Sequence, residues 1–110
     1  MEIETESFKR VDLVTVTGRI DSSNASELED AFKGLADDGR YRLVIDLSGI
    51  EYMSSAGLRA LVASLRENKK HHGDLRIANP SERMADVLNL AGLDSVFNIY
   101  EDSVSAVGSY

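Results

Sequence analysis

Apolar and polar positions alternate at the start of the chain. Ile3, Thr5 and Ser7 fall on one face and Glu2, Glu4, Glu6 and Phe8 on the other, the two-residue period of a half-buried strand. Lys9-Arg10-Val11-Asp12 reads as a turn and the largely β-branched Leu13-Val14-Thr15-Val16-Thr17 as the returning strand, so the pattern predicts a hairpin ending at Gly18. Asn24 with Glu27 three residues on resembles a capping box, and Ala25, Leu28, Phe32 and Leu35 then recur at helical spacing until Asp37-Asp38-Gly39. Leu43-Val44-Ile45, within Tyr41–Leu47, is a solid apolar run of strand length, which suits a strand covered on both faces.

Leu58, Leu61, Val62 and Leu65 mark a second helix that frays into Lys69-Lys70-His71-His72-Gly73. A short strand, Leu75-Arg76-Ile77-Ala78, is cut by Asn79-Pro80. Ser81 can cap a third helix carrying Met84, Val87, Leu88 and Ala91, with Gly92 as its stop. Val96–Tyr100 reads as the last strand, and Asp102 can cap a final helix with Val104 and Val107. The order is β-β-α-β-α-β-α-β-α: an α/β fold with a mostly parallel central sheet of about five strands and four helices. Periodicity leaves open whether the helices cover one face of the sheet or both.

Length makes this one domain, residues 1–110, and no linker or repeat divides it. With 12 Lys and Arg against 19 Asp and Glu the net charge is −7, which argues against nucleic acid and against an anionic membrane surface as partners. Without cysteine, disulfides, thiolate metal sites and a Cys nucleophile are excluded. The acidic, alternating N-terminus is no signal peptide and no apolar run approaches a membrane span, so a cytoplasmic location is expected. The adjacent His71 and His72 diverge by about 100° on a helix and form no chelating pair, so no metal is expected. There is no Gly-x-Ser-x-Gly elbow and no phosphate-cradling glycine loop, and no cofactor is expected.

The segment Asp46–Leu58 joins the most buried-looking strand to a helix and places Ser54 and Ser55 where that helix begins. The first turn of a helix carries unpaired N–H groups and partial positive charge. A Ser hydroxyl there caps the helix, which is ordinary chemistry worth about 1 kcal/mol, whereas a phosphoserine puts two negative charges on the same donors. Spacing alone does not separate the two roles. Gly57 allows close backbone approach, Asp46 suits a cap for the loop after its strand, Asp21 fits either an acidic turn or a partner surface, and Arg59 should face outward.

Asp46-Leu47-Ser48, then Tyr52-Met53, then Ser54-Ser55-Ala56-Gly57-Leu58 resembles the signature of STAS domains, in particular bacterial anti-sigma factor antagonists. Gly18-Arg19-Ile20-Asp21 followed by Ala25 and Leu28 is similar to that family's lead into its first helix. Val87, Leu90, Ala91-Gly92-Leu93 and Phe97-Asn98-Ile99-Tyr100 are similar to its close. The resemblance implies a regulated serine at Ser55. Ser54, standing where well-known members carry Asp, is the alternative. It also implies partner switching: the unphosphorylated domain binds an anti-sigma factor that is a GHKL-type serine kinase, phosphorylation releases it, and a PP2C-type phosphatase resets it. The chain is then a kinase substrate and binding module rather than an enzyme, with Asp21, Ser54, Ser55, Gly57 and Arg59 at the partner surface. The alternative is a STAS module without serine chemistry, a scaffold or subunit of a lipid-transport or stress-signalling assembly. Five strands without a long apolar edge are compatible with a monomer when free.

Overall fold

The structure, a computed structural model, describes residues 1–110. Its strands are β1 (Glu2–Ser7), β2 (Asp12–Ile20), β3 (Arg42–Asp46), β4 (Ile50–Met53), β5 (Asp74–Ala78) and β6 (Ile99–Tyr100). Its helices are α1 (Ala25–Asp37), α2 (Ser55–Lys70), α3 (Glu82–Leu90) and α4 (Ser103–Gly108), with a single 3₁₀ turn at Leu93–Ser95. The sheet runs β1-β2-β3-β5-β6, antiparallel only between β1 and β2. This is the mixed, mostly parallel α/β fold expected from the pattern, with six strands rather than five.

The additional strand is β4, whose four residues read as loop in the sequence. Ile50 and Met53 are buried and Glu51 and Tyr52 exposed, so the two-residue alternation that marks a strand is missing. β4 pairs with the far end of β2, which continues past Gly18 to Ile20 instead of ending there. Gly18 permits this with φ +95, and the register shifts between Gly18 and Arg19. β3 and β4 thus follow one another along β2, separated by a turn in which Gly49 lies so close to Thr17 that a Cβ would come within 2.7 Å of its Cγ2. The last strand is shorter than the run Val96–Tyr100 suggests. Val96 and Phe97 close the 3₁₀ turn by donating to Leu93, leaving Ile99 and Tyr100 to pair with β5. The N-terminal turn also sits one residue earlier, since Asp12 is already paired with Ser7 in the hairpin.

Alternation along the strands separates two cores. Val14, Val16, Leu43, Ile45, Leu75 and Ile77 meet α1, α2 and α3 on one face. Val44 and Ala78 meet Ala106 of α4 on the other, which answers the question of coverage: three helices against one. The inner stripe of α2 includes Ser64 and Asn68, with Asn68 Nδ2 donating to the Asp74 carbonyl at 3.1 Å, while the expected core residues Leu58 and Val62 are half-buried. Helix ends follow the sequence signals where a side chain is free to cap. Ser81 accepts from Met84 N and Asp102 from Ser105 N, and Gly92 takes φ +73 after α3. At α1 the capping box does not form. Asn24 instead accepts from Asp21 N and donates to the Arg19 carbonyl, tying the loop back to β2.

Two acids are buried where the strands begin. Asp12, 1% exposed, takes hydrogen bonds from Ser7 Oγ and Arg40 Nε. Asp74 accepts from Leu75 N, Arg76 Nε and Asn98 Nδ2. Such charges persist in a core only with partners of this kind.

Candidate functional site

Beyond the carboxyl ends of the parallel strands, the β2–β4 extension carries two loops side by side. Ser54 N donates to the Ile20 carbonyl at 2.8 Å, so the residue preceding Asp21 is held against the start of α2. Ser54 is the cap of that helix. Its Oγ accepts from Gly57 N at 3.4 Å and its carbonyl from Leu58 N at 3.1 Å. Ser55 is the first helical residue and is exposed, its hydroxyl engaged in no hydrogen bond with the protein. The two serines are adjacent in sequence but differ in circumstance: one hydroxyl belongs to the helix cap and the other meets solvent.

Gly57 is buried, and a Cβ on it would lie 2.7 Å from Met53 Cγ and 2.9 Å from Ile20 Cγ2. The first turn of α2 therefore sits directly on β2 and β4, as the small residue at this position suggested. Asp21 accepts from the amide and hydroxyl of Ser23, and these hydrogen bonds hold its carboxyl below the usual carboxylate range. Asp21 is thus an ionised group built into the turn before α1. Asp46 accepts from Ser48 and from Ser103 Oγ, which is the loop-capping role expected of it. Because Ser103 belongs to α4, the Asp46 side chain is tied to the helix on the opposite face of the sheet from α2.

Ser55 stands at the rim of an open groove of about 550 Å³ between α2 and the segment after α3. Leu58, Val62, Ala91 and Leu93 form its apolar floor, and Arg59 and Arg66 flank it. Ser55, Arg59, Val62 and Arg66 recur at helical spacing along this one side of α2. Leu90, 87% exposed, stands at the end of α3, immediately before Ala91 of the groove. On the other side, Arg19 stacks over Tyr52 with 4.7 Å from guanidinium carbon to ring centroid, and Arg83 donates to the Glu51 carbonyl. Periodicity missed the contributions of Arg19, Arg66, Arg83 and Leu90. Leu90 carried a signal, an apolar residue outside the stripe of Met84, Val87 and Leu88.

The family model described as STAS domain matches residues 2–106. The anti-sigma-B factor antagonist of Staphylococcus aureus is 27% identical over 101 residues, which are 92% of this chain and 94% of that protein. The crystal structure of an anti-sigma factor antagonist from Mycobacterium paratuberculosis superposes with a TM-score of 0.88 at 30% identity, covering 98% of this chain and 92% of that one. SpoIIAA in its unphosphorylated form has the same fold, with a TM-score of 0.84 at 17% identity over 96% of this chain and 93% of that one. Sheet order, helix placement and the extent of the family match agree, and the chain belongs to the STAS domain family.

Proposed function

We propose that this chain is an anti-sigma factor antagonist that acts by partner switching, with Ser55 as its phosphorylated residue. Unphosphorylated, it binds an anti-sigma factor of the GHKL-type serine kinase class through the α2 surface. Transfer of a phosphoryl group from ATP to Ser55 Oγ releases the partner, and a PP2C-type phosphatase restores the hydroxyl. The chain itself is then a substrate and binding module. The observation that carries this reading is the contrast between the capping hydroxyl of Ser54 and the exposed hydroxyl of Ser55, set at the edge of an apolar groove. The names of similar proteins support the antagonist role.

The physics of the switch is local. A phosphate adds about −1.5 to −2 charge at a helix N-terminus, which tolerates it without unfolding. Arg59, one turn along the same side of α2, can pair with it. A partner seated over Ser55, Arg59 and the groove loses access to that guanidinium and must also bury the new charge. Moving a complex from almost fully bound to almost fully free takes about 5.5 kcal/mol of differential affinity, within the range that an uncompensated buried charge supplies.

The test is incubation with the cognate kinase and ATP, followed by peptide mass spectrometry. One phosphate on Ser55, retained in Ser54→Ala and lost in Ser55→Ala, is the expected result. In binding assays Ser55→Asp should weaken partner affinity strongly while Ser55→Ala preserves it. Phosphate on Ser54, or equal affinity of the two Ser55 variants, overturns the assignment.

A further inference from the structure

The pole of the sheet opposite Ser55 holds a concentration of positive charge in a chain whose net charge is −7. Three separate segments meet there: Lys9 and Arg10 in the β1–β2 turn, Arg40 and Arg42 where β3 begins, and His71 and His72 after α2. They line a cavity of about 270 Å³ with no acidic side chain in its wall. Four of the chain's 12 Lys and Arg residues are gathered at this one place. Lys9, Arg10 and Arg42 have no ion-pair partner within the protein.

The walls are held in place. Arg40 is anchored by Asp12 and donates to the Phe8 carbonyl at 2.9 Å, which locks the turn bearing Lys9 and Arg10 onto the start of β3. The rings of Tyr41 and His71 stack with centroids 4.0 Å apart and planes inclined by 6°. Gly73 packs directly on the Tyr41 carbonyl, leaving no room for a Cβ, and Asp74 N donates to the same oxygen at 3.0 Å. Two carbonyls of the last turn of α2 are taken up locally: Asn68 O accepts from His71 N and Gly73 N, and Lys69 O from His72 N. His71 Nε2 lies 3.3 Å from Glu67 Oε1, which leaves Lys9, Arg10 and Arg42 as the cations of the cavity without an acidic partner.

We infer that this cavity binds a small phosphate-bearing anion, held by Lys9, Arg10 and Arg42 with His72 as a further donor. Clustered like charges repel one another, and a multivalent anion relieves that repulsion while using the forked geometry of the guanidinium groups. The site is separated from Ser55 by the length of α2, 16 residues or roughly 24 Å. It therefore stands independently of the switch proposed above.

The experiment is an NMR titration of the ¹⁵N-labelled chain with inorganic pyrophosphate, at low salt and at about 0.15 M salt, where exposed charges are screened beyond roughly 8 Å. Saturable shifts confined to the amides of residues 9–10, 39–42 and 71–73, persisting at the higher salt, are the expected result. The double variant Arg10→Glu/Arg42→Glu should weaken binding about tenfold or more, whereas Lys33→Glu, an exposed reversal on α1 outside the cavity, should change it less than about twofold. The spectrum of each variant reports its folding. A parallel titration with ADP distinguishes the source of the phosphate. Affinity equal to that of pyrophosphate identifies a site for the anion alone, and tighter binding with shifts of the Tyr41 and His71 ring protons identifies a nucleotide. Shifts scattered over the surface or centred on Ser54–Leu58, loss of binding at the higher salt, or equal weakening by Lys33→Glu would overturn the inference.

Discussion

Replacing Arg40 with Ala should cost far more than removing a surface charge. Asp12 is 1% exposed and has two side-chain partners, Ser7 Oγ and Arg40 Nε. Without the guanidinium, a buried carboxylate keeps one hydroxyl. Breaking a buried ion pair from one side costs about 3–5 kcal/mol because of the charge left behind, whereas an exposed pair is worth only about 0–1 kcal/mol. The Arg40 side chain is 30% exposed, so the reverse deletion, Asp12→Asn, leaves a cation that water can reach, and about 1–3 kcal/mol is expected. The asymmetry is the signature. In the double variant the penalty for the stranded charge vanishes, so its cost should fall short of the sum of Arg40→Ala and Asp12→Asn by about 1–3 kcal/mol. Urea denaturation followed by circular dichroism, with a common slope for all variants, measures each value. A small domain has about 5–15 kcal/mol in total, so Arg40→Ala should be visibly fragile. A cost below about 1 kcal/mol for Arg40→Ala, or strict additivity, would refute the reasoning.

Gly57→Ala should destabilise by about 1 kcal/mol: overpacking against Met53 and Ile20 costs about 1–3 kcal/mol, offset by about 1 kcal/mol of helix propensity, and a rise in thermal midpoint would contradict the contact. Tyr110 donates to the Leu43 carbonyl at 2.6 Å, and burial, with the nearby Asp74 charge, raises its phenol well above the ordinary value of 10.0. Because the folded chain holds this proton more tightly than the unfolded one, its contribution is complete below about pH 10 and declines as pH rises beyond it. Absorbance titration should show one of the four tyrosines resisting ionisation until unfolding, and four equivalent groups would refute this.

Most of the architecture was legible because most elements follow a regular period. The run Leu43-Val44-Ile45 announced a strand covered on both sides, and α4 does supply the second cover through Ala106. The serine pair at the head of α2 was legible as a capped helix start, although only coordinates assign the cap to Ser54 and exposure to Ser55. Illegible were features made by contacts between distant segments. Ile50–Met53 lacks alternation because it is a short extension whose middle residues face solvent. Ser64 and Asn68 interrupt the apolar stripe of α2 yet face inward, where Asn68 finds the Asp74 carbonyl. Asp12 looked like a turn residue, since its partner Arg40 lies 28 positions away. The basic cavity was dispersed over three stretches, each resembling a solvated charge run. Asp46 was legible as a loop cap, but its second partner, Ser103 of α4, lies too far along the chain to be read from spacing.

The margins of the sheet bear on behaviour in a crowded solution. β1 presents Glu2, Glu4 and Glu6 at every second position along one margin, and β6 offers only two residues at the other. Two copies zipped along β1 would set carboxylates against carboxylates with little apolar gain, and a stack begun on β6 would have too few amides to propagate. The same alternation that folds the hairpin thus discourages templated growth into fibrils, so the chain can accumulate without its strands recruiting one another.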